Sequence, residues 1–394
     1  MNKKEMAEPI FQTHGGVLSG TDFRPKKNEA AFALIFGLLV VSPNVHADAL
    51  LWKSNGPPAG VDTIAVAPSD SKIVYAGSTG TDGGKGVFKS ADGGRAWAAV
   101  NHGIANRRIN AVAVDPLHSQ IVYAGYEGEG FYKTADGGEN WATINTAPVH
   151  HGTAVAIDPV DTNILYLGTD SGMFKSVDGG KTLTRLNNGQ SEAGSVVCIV
   201  IDPHDRRTVY ISKYHDKLEN CGIWKSTDAG ATWVAASVGI SGGPERLTGV
   251  NQKVDAARMT FGLAIDPQQP GVLYAGTLGR GVFKTTDGAA HWVHASDGIN
   301  TGMSFGDNVY SLAVDPNNPA VVYAGTAGGG IFKTSDAGKH WVGESQGLPP
   351  QSDHGNMIGI IWALAADEKT RTLFAGHYAN SDGVYAAKLP SAPR

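Results

Sequence analysis

A nine-residue phrase that occurs six times constrains the fold of this chain more than any other feature of its sequence. The copies are KSADGGRAW, KTADGGENW, KSVDGGKTL, KSTDAGATW, KTTDGAAHW and KTSDAGKHW, and they lie between Lys89 and Trp341. A phrase that recurs roughly every forty to sixty residues indicates stacked copies of one supersecondary unit. The copies therefore specify the architecture, and function is expected where the copies differ.

Each repeat contains the signals of four short strands. An alternating apolar segment, which ends in Asp-Pro in five repeats, comes first, and a Tyr-Ala-Gly-like run follows it. A short apolar and aromatic segment immediately precedes the repeated phrase, and a fourth strand starts at the Trp of that phrase. Short apolar runs separated by Gly, Asp and Pro are typical of strands joined by tight turns.

A seventh repeat is incomplete and indicates how the array ends. Residues 362–365, 374–376 and 383–385 match the first three strands, but no repeated phrase follows them, whereas residues 51–56 resemble residues 97–103. We therefore predict an all-β fold, a single seven-bladed β-propeller closed by an N-terminal strand, because closure removes the exposed edges of a linear array. An open array with capped ends is the alternative.

The aligned first strands carry small side chains at one position, as expected where strands crowd around an axis. These residues are Thr63, Ala111, Ala154, Cys198, Gly262, Ser311 and Ala363.

The repeated phrase resembles the Asp-box, or BNR, repeat, whose pattern is Ser/Thr-x-Asp-x-Gly-x-Thr-Trp. Families that carry it include sialidases, xyloglucan-cleaving glycosidases, sortilin-type receptors and photosystem II assembly-factor propellers. The resemblance implies a propeller but no single activity, because one architecture hosts many functions. Leu183 replaces the Trp of the third copy and Ala289 the Gly of the fifth, so looser turns are expected there.

The aspartates of the repeated phrase could be catalytic or calcium-binding residues, but a structural role explains their repetition better. A turn carboxylate accepts hydrogen bonds from backbone N–H groups, and six equivalent residues around a ring cannot converge on one substrate. They are Asp92, Asp136, Asp178, Asp228, Asp287 and Asp336.

The N-terminal segment has the pattern of an export signal. Arg24, Lys26 and Lys27 precede an apolar run over residues 30–41, and a small-residue site ends at Ala47. We predict an export signal over residues 1–47 and the propeller over residues 48–394, in the periplasm or outside the cell and without stable membrane insertion after cleavage. A retained membrane anchor is the alternative. The net charge of −5 and the lack of a basic run argue against nucleic acid as a partner.

Strand connectivity sorts the loops between two faces. The Asp-Pro turns and the repeated phrases join strands one to two and three to four, so both lie on one face. The links between strands two and three, and between blades, lie on the opposite face, which we call the loop face. The long irregular segments over residues 213–220, 238–258, 296–308 and 347–359 fall there, so we expect the binding surface there.

We predict that the ligand-binding side chains lie on the loop face. Most charged side chains on such a surface are solvated and have no binding role. The predicted ligand-binding residues are Tyr126, Glu127, His151, His215, Glu245, Arg246, Arg258, Asp307, His354 and His377. The histidines come from different blades without the short spacing typical of metal ligands, so we predict no metal site. No cofactor-binding motif occurs, so we predict no cofactor.

Glycoside hydrolysis would need a carboxylic acid and a second carboxylate about 5 to 10 Å apart. The resemblance to xyloglucan-cleaving enzymes implies a catalytic Asp just after a second strand, in a Thr-Asp-x-Gly-Gly setting. Two segments come near that setting, TDGG at residues 81–84 and TDSG at residues 169–172, which makes Asp82 and Asp170 the catalytic candidates. Their alternative role is that of ordinary turn residues. A sialidase is disfavoured, since the chain lacks an Arg-Ile-Pro motif.

The two cysteines, Cys198 and Cys221, are predicted to lie two strands apart in blade four, roughly 9 to 10 Å and beyond the reach of a disulfide. The sequence as a whole favours an exported propeller that acts as a binding or assembly scaffold for a protein or a glycan. The alternative is a glycoside hydrolase that acts on a polysaccharide with paired carboxylates.

Overall fold

The structure is a computed structural model that describes residues 49–78, 86–104, 108–128, 130–144, 151–186, 194–214, 221–241, 259–302, 307–350, 358–378 and 383–390, and the backbone of residues 245–247 and 253–255. The predicted export signal, residues 1–47, lies outside the described residues. All regular structure in these ranges is β-strand. None of the described residues forms a helix long and apolar enough to cross a membrane.

The strands form seven four-stranded antiparallel sheets, the blades. Blade 1 contains β2 (Val61–Val66), β3 (Val74–Ser78), β4 (Val87–Ser90) and β5 (Ala98–Ala99). Blade 2 contains β6 (Ile109–Val114), β7 (Val122–Tyr126), β8 (Gly130–Thr134) and β9 (Ala142–Ile144). Blade 3 contains β10 (Gly152–Ile157), β11 (Leu165–Thr169), β12 (Gly172–Ser176) and β13 (Thr184–Arg185). Blade 4 contains β14 (Ser195–Ile201), β15 (Val209–Tyr214), β16 (Gly222–Ser226) and β17 (Val234–Ala235).

The remaining blades follow a short hairpin of β18 (Glu245–Leu247) and β19 (Lys253–Asp255). Blade 5 contains β20 (Thr260–Ile265), β21 (Leu273–Thr277), β22 (Gly281–Thr285) and β23 (Val293–His294). Blade 6 contains β24 (Val309–Val314), β25 (Val322–Thr326), β26 (Ile331–Thr334) and β27 (Trp341–Gly343). Blade 7 contains β28 (Ile361–Asp367), β29 (Thr372–His377), β30 (Val384–Lys388) and, as its fourth strand, β1 (Lys53–Ser54).

The N-terminal strand closes the ring. Strand β1 pairs antiparallel with β30, with Lys53 opposite Ala386 and Ser54 opposite Tyr385. The first strand of each blade contacts the first strand of the next, and β28 of blade 7 contacts β2 of blade 1. The prediction of an all-β, seven-bladed propeller closed by an N-terminal strand is therefore confirmed.

The seven first strands surround a central channel that all of them line. The small residues predicted at one position of these strands lie where neighbouring strands come close. The hydroxyl of Thr63 accepts a hydrogen bond from the backbone N–H of Val112 at 3.2 Å, and Ser311 donates to the Ile361 carbonyl at 3.0 Å. A larger side chain there would push adjacent blades apart.

The repeated aspartates hold the turns between third and fourth strands. In the third copy, Asp178 accepts hydrogen bonds from the Ser176 hydroxyl at 2.8 Å and from the backbone N–H of Thr182 at 2.9 Å. The fifth copy makes the same bonds, although Ala289 replaces glycine at a φ of 69°. These turns keep the common hydrogen bonds rather than loosening, and these carboxylates stabilise local backbone.

A repeated contact between blades, which we call the tryptophan seam, locks four of the blade interfaces. An indole N–H donates to a carbonyl of the preceding blade: Trp141 to Val100 at 2.7 Å, Trp292 to Ala236 at 2.8 Å, Trp341 to Ala295 at 2.8 Å and Trp52 to Glu344 at 2.6 Å. Three residues after each of those carbonyls, a glycine abuts the carbonyl oxygen of the same tryptophan, where an added Cβ would lie only 2.1–2.3 Å away: Gly103, Gly239, Gly298 and Gly347.

The seam between blades 6 and 7 joins the two ends of the propeller. Besides the Trp52 contact, the backbone N–H of Leu50 donates to the buried Glu344 carboxylate at 2.9 Å, and Lys333 lies 3.9 Å from that carboxylate. The closing interface therefore has the geometry of the internal ones, with an added buried charge pair that holds the N-terminal segment.

Replacing the seam glycine at this closing interface tests how much the seam stabilises the ring. In Gly347→Ala, the new Cβ would meet the Trp52 carbonyl at 2.3 Å, and the residue must keep a φ of +95°. We expect a loss of about 1 to 2 kcal/mol for the left-handed backbone plus roughly 1 to 3 kcal/mol for overpacking. Chemical denaturation measures the free energy of unfolding.

The matched control is Gly302→Ala, which has a φ of +69° but no neighbouring atom within 4 Å of the new Cβ. It is expected to show only the backbone cost of about 1 to 2 kcal/mol. Equal losses in the two variants would mean that the seam contact contributes nothing.

Candidate functional site

The structure pairs some of the links that strand connectivity assigns to the loop face. Isolated bridges join a link between second and third strands to a link between blades at Glu127 with His151 and at Arg280 with Asp307. At these two places, a link between strands and a link between blades therefore lie side by side, as the connectivity predicts for one face.

A β-bulge near the start of every first strand forms a ring of seven side chains at that end of the channel, which we call the channel mouth. The bulged residues are Asp62, Asn110, Thr153, Val197, Phe261, Tyr310 and Trp362. All seven line the channel. Bulges commonly re-aim side chains next to functional sites, so the channel mouth is the candidate site.

Blades 1 to 3 contribute the polar half of the channel mouth. Arg108, in the link between blades 1 and 2, donates to Asp62 at 2.6 Å. Asn110 donates to the Gly152 carbonyl at 3.1 Å, and Thr153 donates to the Val196 carbonyl at 2.6 Å. These side chains connect each blade to the next through hydrogen bonds.

Blades 5 to 7 contribute the aromatic half of the channel mouth. The ring centroid of Tyr310 lies 5.2 Å from that of Phe261 and 4.3 Å from that of Trp362. Tyr378, in the link after β29, extends the group, with its ring 6.3 Å from Trp362. All four side chains are half-buried, so they form an apolar wall that is partly open to a ligand.

The carboxyl group of Asp62 has unusual electrostatics. Its side chain is only 5% exposed, and this burial raises its pKa; Arg108 opposes the shift, and the charge of Glu127 adds to it. A carboxyl group with a raised pKa beside a second carboxylate is a pattern found in acid catalysts, although structural ion pairs also produce it.

Three predicted site residues lie together beside the polar half. Glu127 is exposed, and its backbone N–H donates to the Arg108 carbonyl at 3.1 Å. His151 lies 3.9 Å from Asp170, and the backbone N–H of Asp170 donates to the His151 carbonyl at 3.3 Å. The structure therefore gathers Glu127, His151 and Asp170 at the edge of the channel mouth.

Two predicted binding residues are completely buried. Tyr126 packs edge-on against Tyr132 with ring centroids 5.4 Å apart, and His377 packs against Tyr385 at 6.0 Å. Burial lowers the pKa of His377 to about 4, so this side chain is neutral at neutral pH. Neither side chain is presented to a ligand in this structure, because both end second strands and point between blades.

Of the remaining predicted residues, the structure describes only the side chain of Asp307. The Asp307 carboxylate accepts hydrogen bonds from the backbone N–H and the hydroxyl of Thr301, at 2.8 and 3.0 Å. Glu245 and Arg246 lie in β18, whose side chains are not described. Asp82, His215, Arg258 and His354 lie outside the described residues.

The sequence analysis missed the aromatic half of the channel mouth. The sequence did contain a signal for it. In each first strand, one residue directly precedes the small-residue position, and this residue is aromatic in blades 5, 6 and 7. The alternation of a strand does not by itself indicate that this residue lines the channel.

The described residues contain neither a disulfide nor a metal-binding cluster. Cys198 and Cys221 form no disulfide, and burial raises the pKa of Cys198 to about 11, so its thiol is unreactive at neutral pH. In the described part of the chain, no three His, Cys, Asp or Glu residues gather closely enough to hold a metal ion.

The chain is similar in sequence to parts of enzymes named xyloglucanases. No family model matches it. The xyloglucanase of Hypocrea jecorina (strain QM6a) is 26% identical over 303 residues, which cover 64% of this chain and 34% of that enzyme. The chain spans 17–34% of the length of the curated relatives it matches, all of which are named xyloglucanases.

Two solved structures support the propeller fold. The GH74 xyloglucanase from Xanthomonas campestris superposes with a TM-score of 0.60 at 19% identity, covering 87% of this chain and 55% of the enzyme. The structure of YCF48 bound to D1 peptide superposes with a TM-score of 0.57 at 13% identity, covering 86% of this chain and 97% of YCF48.

The Asp62–Arg108 pair gives a testable electrostatic prediction. Arg108→Gln removes the cation that lowers the pKa of Asp62, so this pKa rises further and the carboxylate is left buried without its charge partner. We expect roughly 1 to 3 kcal/mol of destabilisation near pH 7. The loss should shrink toward pH 4, because a raised folded-state pKa favours folding once the group is protonated.

Unfolding measured between pH 4 and pH 8 checks this expectation, with Asp62→Asn/Arg108→Gln as the control that removes the titrating group. A loss that does not vary with pH, or one that the double variant retains with the same pH dependence, would contradict the role assigned to Asp62.

Proposed function

We propose that this protein is an exported Asp-box propeller that binds a neutral polysaccharide at the channel mouth and the surrounding loop face. The observation that carries the proposal is the aromatic half of the channel mouth, where Phe261, Tyr310 and Trp362 form a half-buried wall. Ligand sites in proteins combine such apolar walls with a few polar groups, which the opposite half supplies.

The relatives support a glycan rather than a protein as the ligand. The curated relatives are xyloglucanases, and the match to the enzyme from Hypocrea jecorina extends over 64% of this chain. The chain spans at most 34% of the length of those enzymes. We therefore propose for it only the binding of their polysaccharide, and not their whole activity. The fold supports recognition directly, since a rigid ring presents loops around one opening.

Glycoside hydrolysis is the second candidate function, and one observation favours it. Two carboxyl groups, Asp62 and the exposed Glu127, occur at the channel mouth; burial raises the pKa of Asp62 against the opposing effect of Arg108, and the charge of Glu127 adds to the rise. A glycosidase needs one carboxyl group that stays protonated as an acid and a second that is ionised. Asp82 and Asp170 remain the residues proposed from the resemblance to xyloglucan-cleaving enzymes.

Binding to soluble xyloglucan tests the main proposal. Trp362→Ala removes the central ring of the aromatic half, and we expect an affinity roughly threefold to tenfold lower, since aromatic contacts contribute about 0.5 to 1.5 kcal/mol. Titration calorimetry measures the affinity. The matched control is Trp97→Ala, because Trp97 donates to Gly94 in a repeat turn on the opposite face and should leave the affinity unchanged.

The same samples distinguish the two functions. Release of reducing ends from xyloglucan that disappears in an Asp82→Ala/Asp170→Ala variant would establish a hydrolase, whereas binding without release would establish a binding module. Failure to bind xyloglucan and other neutral glucans would overturn the proposal and direct the search to protein ligands.

Cleavage of the predicted export signal after Ala47 would leave Asp48 as the first residue and retain Leu50 and Trp52 for ring closure. When the chain is produced with a Sec-type export system, N-terminal sequencing of the exported protein should begin at Asp48. A protein that remains membrane-bound with residues 1–47 attached would support the anchor alternative instead.

A further inference from the structure

Tyr378 brings a fourth aromatic ring to the channel mouth from a different part of the fold. The other three rings, those of Phe261, Tyr310 and Trp362, stand on first strands, whereas Tyr378 lies in the link that follows the second strand β29 of blade 7. Its ring centroid is 6.3 Å from that of Trp362, a separation typical of aromatic rings in contact. The loop face therefore adds a ring to the wall that the first strands begin.

The channel is too small to hold more than part of an oligosaccharide. Its cavity measures about 240 Å³, whereas the pockets that enclose small ligands typically measure about 300 to 1,000 Å³. Of the four described rings, Phe261, Tyr310 and Trp362 line this cavity and Tyr378 does not. A sugar chain with one residue in the channel mouth continues outside it, and Tyr378 is the ring beside Trp362 on that outer side.

The backbone holds Tyr378 in place at the channel mouth. Its N–H donates to the Ile360 carbonyl at 3.0 Å, in the link that precedes the first strand of blade 7. The preceding residue, His377, is fully buried, and its N–H donates to the Gly383 carbonyl at 2.8 Å. The half-buried tyrosine ring is thus positioned before a ligand arrives, and a pre-positioned group loses little conformational freedom on binding.

The angle between the two rings decides how many sugar residues they can contact. The faces of a sugar ring carry apolar C–H groups, and covering them with an aromatic face removes apolar surface from water. The planes of Trp362 and Tyr378 differ by 57°, so one flat sugar ring can lie parallel to only one of them. The second ring is therefore available to the next sugar residue of the same chain.

We infer that Tyr378 is the platform of an outer subsite, which binds the sugar residue next to the one that Trp362 holds in the channel mouth. The inference rests on the proposed function and adds a specificity-determining residue to it. The ligand is then recognised as a chain of at least two sugar residues, which leaves the channel mouth over blade 7.

A double-mutant cycle with a xyloglucan heptasaccharide tests the outer subsite in the full propeller, residues 48–394. Calorimetry measures the affinity of the unmodified protein, of Trp362→Ala, of Tyr378→Ala and of the double variant. We expect Tyr378→Ala to lower the affinity roughly threefold to tenfold, as for the loss of one aromatic contact. The same change should still cost at least roughly threefold when Trp362 is already alanine, because the two rings contact different sugar residues.

Two control variants assign the effect to the ring and to its place. Tyr378→Phe keeps the ring, so its affinity should remain within roughly twofold of the unmodified protein. Tyr214→Ala removes another tyrosine at the loop-face end of a second strand, 37% exposed, but in blade 4, where the bulged residue is Val197. This variant should also remain within roughly twofold. Melting curves show which variants are folded, and Tyr378→Leu, which keeps apolar bulk without a ring, replaces Tyr378→Ala if the latter does not fold.

The outcomes separate this inference from the proposed function. Unchanged affinity in Tyr378→Ala would overturn the outer subsite, and so would an effect that disappears in the Trp362→Ala background, since Tyr378 would then only support Trp362. An equal loss in Tyr378→Phe or in Tyr214→Ala would overturn it as well, while polysaccharide binding at the channel mouth stands. Absence of binding of the unmodified protein to the heptasaccharide and to the polymer would overturn both proposals.

Discussion

The structure depends on the contact that holds one blade to the next. In the tryptophan seam, an indole N–H satisfies a carbonyl of the preceding blade, and a glycine allows the two backbones to approach without a side chain between them. The same contact recurs at the closing interface through Trp52 and Gly347, so blade 7 is joined to blade 6 in the same way as the internal blades with a seam. Closure leaves no terminal blade without a neighbour, and the remaining sheet edges are the short fourth strands of the blades.

The seam is not present at every interface, and its distribution follows the sequence. Leu183 takes the place of the tryptophan in blade 3, and Trp97 and Trp233 donate to carbonyls of their own turns instead. The four interfaces with the full seam connect blades 1 and 2 and run from blade 4 to blade 7. The blades joined by consecutive seams, from blade 4 to blade 7, include the three that carry the aromatic half of the channel mouth.

The channel mouth shows how a repeated fold can produce one asymmetric site. Every first strand has the same bulge, and the side chain there differs from blade to blade. Polar residues in blades 1 to 3 use their hydrogen bonds to join blades, whereas aromatic residues in blades 5 to 7 stack on one another. Polar and aromatic side chains at one repeated position thus divide the channel mouth into two chemically different halves.

The sequence by itself determined the fold, the number of blades, the closing strand and the face on which the loops meet, because repetition and strand connectivity are properties of the chain order. It also placed Glu127, His151 and Asp170 correctly on one surface, since links of the same type must share a face. Only the tertiary structure decided which side chains line the channel. Phe261, Tyr310 and Trp362 line the channel, and the packing between blades buries Tyr126 and His377. The two-residue periodicity of a strand predicts neither arrangement, because both depend on how neighbouring blades pack against each other.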